Sequence, residues 1–136
     1  MTIDPLLNIF EWGQPAFHRL VAEFRRRIFE EVARSELPGL IFTYVWALDH
    51  ESDKADIDSI CDIFRARGAE IYFVELQAGL DARLERNQSD FRLAQKPSKR
   101  DIERSRGNIL GWEGKYKMNT EAESDFFYPA NYLKLE

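Results

Sequence analysis

A single cysteine and two histidines are all that this 136-residue chain offers to soft-metal or redox chemistry. Cys61 alone excludes an internal disulfide and a cysteine-rich zinc site. His18, with only His50 besides it, lacks the partners that a metal centre requires. No run of about 18 apolar residues is present, so no transmembrane helix is indicated. The stretch from Met1 to Phe10 has neither the basic start nor the long apolar centre of a signal peptide. The expectation is a cytoplasmic protein without a membrane partner. Internal repeats and interdomain linkers are also missing, and residues 1–136 read as one domain.

What is there suits a real core: 44% of residues are hydrophobic and 13% aromatic, which sets the chain apart from disordered sequences. The charge is unevenly placed. From Arg83 to Arg106 there are eight Lys/Arg against four Asp/Glu, a local +4 in a chain of net charge −5, so the remainder sums to −9. Positive charge concentrated in an acidic protein points to an anionic ligand. Nucleic acid is not the expected anion, because only Phe91 interrupts the basic residues as a stacking platform.

Helical periodicity is clearest after Pro15, where Phe17, Leu20, Val21, Phe24, Ile28 and Val32 recur at steps of three and four until Pro38-Gly39. Arg25, Arg26 and Arg27 in that helix read as a solvated face paired with nearby Glu23, Glu30 and Glu31. Leu40 to Leu48, LIFTYVWAL, is nearly continuous apolar sequence and predicts a strand covered on both faces. A helix capped by Ser52 or Asp53 follows, with Ile57, Ile60, Cys61 and Phe64 on one face and Gly68 at its end. The next strand spans Glu70 to Leu76, completing a parallel βαβ unit. Cys61 is expected to be a buried thiol. Pro5 is expected to break any early helix, and Gln88 to Ser98, with Pro97 and no helical period, is expected to be a mobile loop. Asp101 begins another helix across Ile102 to Met118, and Tyr132 to Leu135 forms a last short strand.

In open α/β sheets ligands gather beyond the carboxyl ends of the strands, where Asp49, His50 and Gln77 fall. Asp49 is the candidate catalytic or magnesium-organising carboxylate, the alternative being a helix-capping acid in the acidic loop DHESD. Trp46 is either core or the wall of an acceptor pocket.

The segment FVELQAGLDARLERNQSDFRLAQKPSKRDIERS resembles the strand, helix and lid of P-loop kinases, the superfamily of shikimate kinase, adenylate kinase and chloramphenicol phosphotransferase. More narrowly it is similar to small bacterial shikimate-kinase-like or AAA-type ATPase-like proteins, and the likeness extends to MTID, LIFTYVWALD, KYKMN and NYLKLE. The resemblance implies a three-layer α/β fold with a parallel sheet, truncated here: the central first strand, the Walker A loop and a C-terminal helix have no counterpart. No G-x-x-x-x-G-K-[ST] occurs, since GWEGKYK at Gly111 has its glycines too close and no Ser/Thr after Lys115. By resemblance Arg83 and Arg86 lie beside the nucleotide, and Arg92, Lys99 and Arg100 reach its phosphates from a lid-like segment, residues 88–105. Asp4 would then contact the acceptor hydroxyl, or else serve as a turn residue or cap before Pro5. The implied cofactors are ATP and Mg2+, the implied partners a nucleotide and a small hydroxyl-bearing acceptor. The other expectation is a non-catalytic α/β interaction or oligomerisation module, with a homodimer covering an exposed sheet edge as one form of it.

Overall fold

The computed structural model describes residues 3–95 and 101–135, which hold six α-helices and one two-stranded parallel sheet. Helix α1, Ile3–Leu7, contains the proline expected to prevent it. Pro5 is tolerated because it occupies the first turn, where a backbone N–H has no helical acceptor to lose. Leu6 then packs against Phe17 and Val21 of α2, Pro15–Arg34, and these three form a small buried cluster.

The outer face of α2 is an ion-pair ladder: Arg26 meets Glu30 at 2.9 Å, and Arg27 meets Glu31 at 2.9 Å. Its inner face continues to Phe29, whose ring contacts Phe42 and Phe64. Phe64 belongs to α3, Glu51–Arg65, which buries Ile57 and Cys61. The chain leaves α3 through Gly68 at φ +76°, a backbone conformation open to glycine at little cost. The N-cap is His50 rather than Ser52 or Asp53. Asp53 uses its carboxylate elsewhere, accepting a bond from the Ala47 amide at 2.9 Å.

Strand β1, Phe73–Leu76, pairs in parallel with β2, Tyr132–Leu135, in the register Phe73 to Tyr132 and Leu76 to Leu135. The bond from the Gln77 N–H to the Leu135 carbonyl, at 2.8 Å, prolongs that ladder. One face of the sheet is packed by an aromatic cluster. Phe126 stacks on Tyr132 with ring centroids 4.3 Å apart, and Tyr128 stacks on Phe73 at 4.8 Å.

The stretch expected to be the first strand does not join the sheet. Residues 40–47 form neither helix nor strand; Phe42 and Trp46 are turned towards aromatic neighbours while Ile41 and Val45 are exposed, a partial strand-like alternation, yet they belong to no ladder. Nor is the segment covered on both faces, since Ile41 is 95% and Val45 63% exposed. An apolar run supplies side chains suited to a strand, but a strand also needs a backbone partner, and none of the described residues provides one.

Beyond β1 the chain turns at Gly79 into α4, Leu80–Asn87, followed by α5, Asp90–Gln95. Helix α5 occupies part of the stretch expected to be a loop. Ser89 starts it locally, its Oγ accepting from the Arg92 amide at 3.4 Å. Helix α6, Ile102–Glu113, is capped as expected by Asp101, whose carboxylate accepts from the Arg104 amide at 3.0 Å. Helices α4 and α6 run antiparallel. The end of α4 meets the start of α6 through Asn87 and Ser105, and the start of α4 meets the end of α6 through Arg83 and Glu113.

Candidate functional site

The carboxyl end of residues 40–49 is held by three hydrogen bonds. The Leu48 amide donates to the Lys117 carbonyl at 2.7 Å, and the Lys117 amide donates to Asp49 Oδ1 at 3.0 Å. The Asp53 carboxylate fixes the Ala47 amide, as described. This third bond ties Ala47 to the first turn of α3, and the first two pin Leu48 and Asp49 against the turn that follows α6.

Between the two lies a cavity of about 260 Å3. Val45, Ala47, Trp112 and Met118 make its walls apolar, and His50, Asp53 and Tyr116 bring polar atoms to it. His50 Nδ1 is 2.8 Å from Ser52 Oγ, which leaves Nε2 as the ring nitrogen free to meet a bound group. The Tyr116 ring stands edge-on to the imidazole, with centroids 6.0 Å apart. Such a pocket can enclose a small, mostly apolar group and address one hydroxyl or carbonyl.

Asp49 does not line this cavity; it is exposed and serves as an acceptor for the Lys117 amide. Trp46 lies outside it too, in the aromatic cluster. Its ring stacks on Phe127 at 5.4 Å and meets Phe126 at 5.5 Å, while its Nε1 is buried without a hydrogen-bond partner. Asp4 is in the first turn of α1.

Of the basic residues, Arg83 is held by the Glu113 carboxylate, and its Nε is buried without an acceptor. Arg86 is exposed, whereas Arg92 is half-buried with an unpartnered Nε. Lys99 and Arg100 lie outside the described residues. Asp49 and Arg83 are therefore tied to one short stretch, through Lys117 and Glu113 respectively, but no direct contact joins them.

The best-connected carboxylate is one that the sequence reading passes over. Glu75, in the middle of β1, accepts from Asn119 Nδ2 at 2.8 Å, the Thr120 amide at 3.1 Å, Thr120 Oγ1 at 3.0 Å and Tyr132 Oη at 2.6 Å. Burial works to raise its pKa, but the bonds from Tyr132, Asn119 and Thr120 outweigh burial and hold the carboxyl below its ordinary value. Lys134 adds a bond to the Thr120 carbonyl at 2.8 Å. With every donor supplied by the protein, this network is a structural tie between the sheet and residues 119–120. A signal was present: a carboxylate in the apolar strand FVEL, on the same face as Phe73, needs partners.

No family model, no curated protein and no solved structure matches the chain.

Proposed function

We propose that this chain is the acceptor-and-lid part of a nucleotide-dependent small-molecule kinase, a phosphotransferase that moves a phosphoryl group from ATP to a hydroxyl acceptor. One observation carries the reading. A strand-like segment, residues 40–47, stands without a ladder partner next to a parallel pair, β1 and β2, whose outer edges are open. That arrangement fits a parallel sheet from which a central strand is missing, as the resemblance implies. Parallel sheets of this kind place ligands beyond the carboxyl ends of their strands, and Asp49, His50 and the 260 Å3 cavity follow the carboxyl end of residues 40–47.

On this reading the cavity receives the acceptor, and Asp49, next in sequence to its lining residue His50, organises the transferred group or its metal ion. Arg83, Arg86 and Arg92, with Lys99 and Arg100, would face the nucleotide. The residues of this chain do not by themselves make a MgATP site. Arg83 is already neutralised by Glu113, no three His, Cys, Asp or Glu side chains cluster among the described residues, and the amide-rich phosphate loop has no counterpart in the sequence. The chain alone is accordingly inactive or nearly so.

Calorimetric titration with MgATP tests this. The expected result is no binding tighter than about 1 mM for the chain alone. An in-frame reading of the DNA upstream of Met1 is expected to encode a strand and a G-x-x-x-x-G-K-[ST] loop, and the longer product to bind MgATP. Tight magnesium-dependent binding by the chain alone, or a longer product that still ignores the nucleotide, would overturn the proposal.

A second reading, a non-catalytic α/β module that binds a protein partner, is favoured by the open face of the β1–β2 sheet, where Val74, Leu76, Leu133 and Leu135 are all exposed.

A further inference from the structure

The sheet buries the wrong face for a free monomer. On the packed side are Phe73, Glu75, Tyr132 and Lys134, two of them charged; on the open side are Val74, Leu76, Leu133 and Leu135, all aliphatic. These four are 55%, 73%, 52% and 46% exposed, and register places Val74 beside Leu133 and Leu76 beside Leu135. Strand alternation adds Tyr72, which precedes Val74 by two residues and is 68% exposed.

We infer that this aliphatic face is the interface of a homodimer, in which the β1–β2 sheets of two copies pack face to face. Area is the first argument. At the exposures given, these five side chains present roughly 300–350 Å2 of apolar surface, taking about 60–120 Å2 for each aliphatic side chain and about 150–250 Å2 for the tyrosine. A standard interface covers about 800 Å2 per partner, a little under 60% of it apolar, so the patch supplies about two-thirds of the apolar share of one. Charge is the second argument. Each copy carries a net −5, yet Val74, Leu76, Leu133 and Leu135 are all uncharged, so two copies can bring these side chains together without burying like charges there; beside them the Tyr72 hydroxyl is bonded to the Glu70 carboxylate. Apart from the Tyr72 hydroxyl, already donated to Glu70 at 2.9 Å, the five side chains offer no polar group by which a foreign protein would be selected. A two-fold axis needs no such selection, since each copy brings the same surface. Stacked about 10 Å apart, the two sheets would make a small sandwich with leucine and valine at its centre.

The inference names the partner that the module reading leaves open, and it does not depend on nucleotide binding. Sedimentation and light scattering are expected to give twice the chain mass of 16.0 kDa, that is 32 kDa, with a dissociation constant near 1 μM. Leu76→Glu places one charge from each copy in the interface and is expected to weaken association about 100-fold, with an unchanged far-ultraviolet circular dichroism spectrum. Disulfide trapping gives a second measurement that needs no loss of stability. Cys61 is buried, so Leu76→Cys provides the one accessible thiol among the described residues and is expected to cross-link into covalent dimers under a mild copper oxidant. Ser124→Cys, away from the face, is expected to form no covalent dimer after the same treatment.

A wild-type chain that sediments as a monomer at about 100 μM would overturn the inference. So would a dimer that survives Leu76→Glu, or one that cross-links equally through both introduced cysteines. If the chain is monomeric but binds a different protein, the homodimer fails while the module reading stands. MgATP titration of the same samples reports on the kinase reading separately.

Discussion

Replacing Glu75 is the most direct probe of what holds the sheet to the rest of the chain. Four donors converge on its carboxylate, two on Oε1 and two on Oε2 at the shortest distances. Glu75→Ala deprives all four at once. The Tyr132 hydroxyl can turn to other partners, but the Thr120 amide cannot, and Thr120 is only 3% exposed. A buried donor left unsatisfied costs about 1–3 kcal/mol, and the remaining lost bonds add about 0.5–1.5 kcal/mol each. The expected destabilisation is about 3 kcal/mol, allowing for water reaching the partly exposed Asn119. Glu75→Gln is the discriminating companion. Its carbonyl can still accept from Asn119 and the Thr120 amide, while its NH2 can donate to the hydroxyls of Thr120 and Tyr132, so about 1 kcal/mol is expected from lost charge assistance.

Urea unfolding followed by tryptophan fluorescence measures both variants. The pH dependence supplies an internal check. The folded carboxyl titrates below its ordinary value, so its stabilisation is complete above about pH 4.5 and declines as pH falls through the lowered folded value. Glu75→Gln is expected to lack that part of the acid-induced loss. If Glu75→Ala lies within about 0.5 kcal/mol of wild type, or if Gln is as damaging as Ala, the network is not a structural tie and the reasoning fails.

At the alkaline end, burial, the charges of Asp53 and Asp56 and a hydrogen bond to Asp56 push Tyr44 up to about 12. Its unfolded form ionises first, so stability is expected to fall between about pH 10 and 12, and Tyr44→Phe is expected to flatten that loss in unfolding measured over the same range. At Gly68 a Cβ would meet nothing within 4 Å, so only the positive φ opposes a side chain. Gly68→Ala is expected to lower stability by about 1 kcal/mol, and a neutral or stabilising result in chemical denaturation would show that the turn is not held in that conformation.

Local patterns carried much of the secondary structure. The periodicity after Pro15 marked α2, and the apolar face around Ile57 and Cys61, closed by Gly68, marked α3, because a helix is specified largely by residues within one or two turns. Leu76 and Leu135 likewise lie in short strands that the sequence marks out. What failed depended on distant residues. Leu40 to Leu48 has strand-like side chains, but ladder formation requires a neighbour that the segment itself does not encode. Pro5 was read as a breaker without its position in the first turn, and α5 is too short for its period to stand out between Ser89 and Pro97.

The candidate site divided in the same way. Asp49 was chosen for lying at the end of an apolar run, and it does close that run, but by binding the Lys117 amide. His50 and Asp53 line the cavity because Trp112, Tyr116 and Met118 come back across them, a return that no spacing within DHESD announces. Arg83 was visible as a positive charge, whereas its pairing with Glu113 rests on the antiparallel course of α4 and α6.

The pairing of β1 with β2 also sets the order of events during synthesis. Phe73 must wait for Tyr132, 59 positions later (132 less 73), before its strand acquires a ladder neighbour. Helices α1 to α3 can assemble as they leave the ribosome, but Phe73–Leu76 emerges with both edges bare and an oily side outward. For that interval, several seconds at ordinary translation rates of about 5–20 residues per second, the nascent chain is at its stickiest, and a holdase has its best opportunity there.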